Sequence, residues 1–86
     1  MEETFSKTGV NKVSSSLGFT VETLGLVGIR YTDATHDLEV YAEGLSSVLG
    51  YVLYTSSLPE DPDERKEIIG NIQRSFDFRG FVLQLI

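Results

Sequence analysis

Apolar and polar residues trade places at every second position through much of the first two-thirds of the chain, and at every third or fourth position after residue 60. The first period belongs to half-buried strands and the second to an amphipathic helix. In "LGFTVETL", residues 17–24, Phe19, Val21 and Thr23 alternate with Thr20, Glu22 and Leu24 until Gly25 breaks the run. The next stretch, "GLVGIRYTD", sets Val27, Ile29 and Tyr31 on one face and leads into "TDATHD". Those short polar side chains favour turns by bonding to nearby backbone, which predicts a hairpin loop. "DLEVYAEG" then places Leu38, Val40 and Ala42 toward a core and Glu39, Tyr41 and Glu43 toward water. "GYVLYTSS", residues 50–57, is rich in β-branched and aromatic residues and reads as another strand, antiparallel to its neighbour. The weaker pattern of residues 1–16 leaves two readings open, an edge strand or a partly disordered lead-in.

The period changes at "LPEDPDERKEIIGNI", residues 58–72. Asp61 is a favoured N-cap, Pro62 suits the first helical position, and Glu64 stands three residues after the cap. Ile68, Ile69, Ile72 and Phe76 form one apolar stripe, so a helix is predicted from residue 61 to about residue 77. Acids in its first turns and Arg74 near its end match the helix macrodipole. That accounts for the carboxylates without a metal, and the spacing lacks the glycine and terminal acid of a calcium loop. Gly80 is placed to end the helix, and "FVLQLI", apolar on both faces, is expected to be a final strand that is central or covered by the helix. The fold class is α+β: one domain over residues 1–86, with a small mixed or antiparallel sheet of four to five strands. One helix from the C-terminal half packs on one sheet face before the last strand.

Composition narrows the function classes. A chain of 86 residues buries roughly two-thirds of its unfolded surface, which leaves little room for an enclosed active site. The absence of cysteine removes disulfides, thiolate nucleophiles and thiolate metal sites, and favours a cytoplasmic setting. No apolar run approaches a membrane span, and the N-terminus opens on acids where a signal peptide carries basic residues. Thirteen acidic against seven basic residues, a net charge of −6, oppose nucleic-acid binding. His36 lies between Asp33 and Asp37 in a turn, where a solvated role is the ordinary one, and the serines and glycines form no nucleophile elbow or phosphate loop. No catalytic residue, metal or cofactor is expected. Arg30 is expected to pair across strands with Glu39, and Arg79 to be a turn residue.

What remains is a surface. Glu39, Tyr41 and Glu43 on one strand, Asp33 and Asp37 in the adjoining turn, and Tyr54 on the next strand would form an acidic patch with aromatic anchors. Such a patch suits a basic protein partner, and the plain alternative is a solvated sheet face. The segments "GYVLYTSSL", "ERKEIIGNIQRSF" and "FRGFVLQL", within residues 38–86, resemble a family of small immunity proteins of bacterial polymorphic-toxin and contact-dependent growth inhibition systems. The resemblance implies a non-enzymatic cytoplasmic inhibitor that occludes the active site or substrate groove of a cognate toxin, and the chain itself is expected to be a monomer or weak dimer. The resemblance carries over no contact residues. The alternative, from a different class, is an assembly subunit that associates with itself through a strand edge.

Overall fold

The computed structural model describes residues 2–86. Among them the chain forms strands β1 (Phe5–Gly9), β2 (Lys12–Ser15), β3 (Thr20–Thr23), β4 (Val27–Thr32), β5 (Asp37–Gly44) and β6 (Gly50–Leu53). A 3-10 turn (Thr55–Ser57), helix α1 (Pro62–Arg79) and strand β7 (Val82–Leu85) follow. All the strands join one curled sheet in sequence order, antiparallel throughout except for the parallel pair β6–β7. The α+β class holds, but the sheet has seven strands rather than four to five. The extra strands are β1 and β2, a hairpin whose register runs Phe5 opposite Ser15 and Lys7 opposite Val13. Residues 5–9 and 12–15 are thus ordered into the sheet, although serines, threonines and lysines give them little apolar alternation.

The apolar rows face a single cover. Val13, Val21 and Tyr31 line up across β2, β3 and β4, with Ile29 beside Val40 and Ala42 beside Leu53. Ile68, Ile72 and Phe76 of α1 are buried against this face, with Leu58 closing one end. Ile69, on the flank of the stripe, is only partly buried. The helix is fixed at both ends by local chemistry: the Asp61 carboxylate accepts from the Glu64 backbone N–H at 2.9 Å, and Gly80 takes φ 73° to close the C-terminus. A residue with a Cβ would be strained at that φ.

Two departures from the alternation have identifiable causes. Gly28, at φ 96°, stands opposite two residues of β5, so Val27 pairs with Glu43 while Ile29 pairs with Val40. Val27 is thereby turned to the outer face, instead of sharing the inner one with Ile29 and Tyr31. β7 is not central but the last strand of the sheet, with Val82 and Leu85 exposed and Leu83 turned to the core. Its apolar character on both faces is therefore not explained by burial. β7 can approach β6 so closely because residue 50 is glycine; a Cβ there would overlap the Val82 carbonyl.

If the helix is the cover that holds the sheet, Phe76→Ala should cost about 3–5 kcal/mol, against about 1 kcal/mol for the cap variant Asp61→Ala. Urea unfolding midpoints measure both, and equal losses would contradict this account of the core.

Candidate protein-binding surface

The outer face of β5 and β6 brings three of the expected residues into contact. Tyr41 and Tyr54 meet edge to face with ring centroids 4.7 Å apart. Both hydroxyls donate to the same Glu43 carboxylate oxygen at 3.2 Å. The cluster follows from the pleat, because Tyr41 and Glu43 are two residues apart on β5, and Tyr54 donates its backbone N–H to the Tyr41 carbonyl at 3.0 Å. Ser57, from the 3-10 turn, accepts the Tyr41 backbone N–H on its hydroxyl and ties the turn to the middle of β5. Burial, then the Glu43 carboxylate, pushes the Tyr54 phenol above its ordinary value, so it stays protonated and remains a donor.

Charge on the rest of the outer face is largely balanced. Lys12, Glu22, Arg30 and Glu39 sit opposite one another in register across β2 to β5, alternating in sign. Arg30 stands beside Glu39 as expected from the sequence, yet its ion pair is made with Asp37, through two hydrogen bonds of 3.0 and 2.9 Å. The guanidinium forks onto the diagonal neighbour because both oxygens of Asp37 are in reach. That pair is half exposed and adds little stability. Glu43 has no cation opposite it: its register partners are Val27 and Val52. It is the carboxylate of this face held by phenols rather than by a cation.

Asp33 does not join the patch. It turns to the helix side, where it accepts from the Tyr31 hydroxyl at 2.7 Å and from the backbone N–H groups of Thr35 and His36 at 2.9 and 2.8 Å. Burial opposes its ionisation, but these bonds and the His36 ring bring its carboxyl down to about 2. His36 contacts Asp33 at 3.0 Å and Glu64 at 3.6 Å, rather than Asp37. Asp33 raises the imidazole above its ordinary value against burial, and Glu64 adds to the shift.

From Tyr31 the polar contacts continue through the protein. Buried Asn71 donates to the Tyr31 hydroxyl at 2.8 Å and accepts from Arg74 at 2.5 Å, and Arg74 donates to Glu3 at 2.6 Å. Ser15 donates to the other Glu3 oxygen at 2.6 Å. The groove above this chain, about 750 Å³, is lined by Phe19, Asp33, Lys66, Gly70 and Arg74 among others. It carries both signs of charge: Asp33, Asn71 and Arg74 are bonded within the contacts just described, and Asp63, Lys66 and Glu67 also line it. Among the described residues no group of acids and histidine has metal-binding geometry.

The apolar stripe alone misses Asn71 and Ser75, yet their helical phase, beside Ile72 and Ile68, puts them on the buried face. Arg79 is more than a turn residue: its guanidinium lies 4.1 Å from the centre of the Phe81 ring and donates to Thr23. The signal for the exposed Val27 was Gly28 in mid-strand. No known family model, curated protein or solved structure matches this chain. Among the described residues no helix is long and apolar enough to cross a membrane.

The His36–Asp33 pair sets a pH dependence. The imidazole is raised from 6.5, so its contribution is complete below that value and is lost as pH rises through the higher folded value. The carboxyl is lowered from 3.8, so its contribution is complete above 3.8 and is lost as pH falls toward about 2. The pair is therefore whole between those two ordinary values. Melting temperatures of the parent and His36→Gln should differ more at about pH 5.5 than at about pH 8.5, and a constant difference would show that the imidazole charge does not contribute.

Proposed function

We propose that this protein is a binding inhibitor, not an enzyme, whose outer β5–β6 face grips a basic protein. The observation that carries the reading is Glu43, a carboxylate without a facing cation, held beneath two tyrosines that are already packed on each other. Aromatic rings with few rotatable bonds supply contact area at low entropic cost, and the carboxylate selects a lysine or arginine. Glu39 and Asp37 flank this centre and contribute to long-range steering, while Arg30 tempers both. Asp33 belongs to the helix side and is not a contact residue. The resemblance of residues 38–86 to immunity proteins supplies the partner class: a cognate bacterial toxin domain, such as a nuclease, blocked at its active site or substrate groove.

The test is capture of the bound protein with tagged chain at low salt, followed by titration of the recovered partner. A basic toxin domain bound one to one, and more weakly as salt rises, is expected. Tyr41→Ala should weaken binding by about 10- to 100-fold. Glu43→Lys should slow association and remove most of the salt dependence, and Glu39→Lys should do less. An affinity unchanged by Tyr41→Ala and Glu43→Lys would remove this face from the contact.

A further inference from the structure

The two edges of the sheet are treated differently. β1 carries Lys7 and a register shift between Lys7 and Gly9, and Phe5 stacks on Phe78 of the helix at 5.4 Å. Charge, irregularity and cover are the ordinary means of keeping an edge from pairing. β7 has none of them: from Gly80 to Ile86 the chain has no charged residue and no proline, and β7 pairs with β6 without a bulge. Val82 is 42% exposed, Leu85 48% and Ile86 70%, with Leu49 beside them at 73%.

The backbone of this edge is also open. Val82 and Ile86 donate their N–H groups to Leu49 and Leu53, each at 2.9 Å, so the even positions face β6. Leu83 and Leu85 therefore direct their N–H and C=O groups to the other side, where no strand of the described residues lies.

We infer that this edge pairs with β7 of a second copy, antiparallel about a twofold axis through Gln84. The side chains choose that occupant, because Val82-Leu83-Gln84-Leu85-Ile86 is a palindrome in chemical type. Centred on Gln84, Leu83 faces Leu85 of the partner subunit and exchanges both backbone hydrogen bonds with it, using the two groups that β6 leaves free. Val82 faces Ile86 of the partner subunit, and the two Gln84 amides meet on the axis, where each can donate to and accept from the other. Every facing pair is apolar with apolar or amide with amide. In a chain of net charge −6 this is a stretch that meets its own copy without like charges. The pairing is isologous and closes at two copies, joining the sheets edge to edge. It does not rest on the β5–β6 face reading, and salt separates them: screening strengthens contact between two acidic copies and weakens contact with a basic partner.

Sedimentation equilibrium of the full chain tests the inference. A monomer–dimer equilibrium that tightens with salt is expected. Gln84→Lys sets like charges face to face on the axis and should weaken dimerisation by at least about tenfold, with an unchanged melting temperature of the monomer because Gln84 is exposed. Val82→Lys and Ile86→Glu should each weaken the dimer. Combined in one chain they should restore it to within about threefold, since the register places each introduced charge opposite its complement. A chain that stays monomeric at about 100 µM in high salt overturns the inference, as does a dimer untouched by Gln84→Lys. Open-ended association would place β7 against β1 of the next copy and would overturn the twofold arrangement.

Discussion

One helix has to cover the apolar face of the whole sheet, and the rest of the architecture follows from that constraint. A flat sheet of seven strands would be wider than a single helix and would leave its outer rows in water. The sheet curls, so that rows as far apart as Val13 on β2 and Leu53 on β6 are both buried. Three helix residues, Ile68, Ile72 and Phe76, fill the interior of that curl. Each fully buried apolar side chain contributes about 1.5–3 kcal/mol, so stability is concentrated on one helix face. The same closeness brings polar atoms inside. The Tyr31 hydroxyl and the Asn71 amide cannot be left unpaired there, and they satisfy each other across 2.8 Å. That bond fixes the rotation of the helix on the sheet more narrowly than apolar contact would, since hydrophobic attraction has no direction.

The curl divides the surface by chemistry as well as by shape. Inward-facing acids are consumed by hydrogen bonds: Asp33 accepts from Tyr31 and from its own loop, and Glu3 accepts from Arg74 and so holds the N-terminal segment to the helix. On the outside, the alternating row from Lys12 to Glu39 cancels within itself. On this face the carboxylate left without a facing cation is Glu43, while Glu60, Asp61, Asp63, Glu64 and Glu67 cluster about the start of α1. The proposed binding face is narrower than the overall acidity suggests, and its centre is defined by the tyrosines.

Much of this was legible in the sequence. The helix start at Asp61 and Pro62 and its end at Gly80 are local chemistry, and local chemistry reads directly. β3, β4 and β5 were legible because one face is buried and the other wet. β1 and β2 were not, because their partners are each other and β3, and backbone pairing leaves little mark on serine- and threonine-rich residues. β7 misled for the opposite reason: its apolar residues imply burial, which the monomer gives to Leu83 alone within the strand core. At the site, proximity in sequence placed Tyr41 with Glu43 correctly; the strand expected over residues 50–57 ends at Leu53, and Tyr54 lies just past it, still bonded through its backbone to Tyr41. Asp33 was misplaced because a turn residue can point to either side, and the buried tyrosine two residues earlier decided which.

The order of pairing also bears on how the chain reaches its native state. From β1 to β6 every neighbour in the sheet is a neighbour in sequence, so those hairpins close short loops at small entropic cost. β7 must wait, because its partner β6 lies on the far side of the entire helix. The nucleus of the transition state is thus expected among the central hairpins, with the helix docking onto it and β7 arriving last. A destabilising substitution in β7, such as truncation of Leu83, would then hasten unfolding while leaving the folding rate nearly as it was.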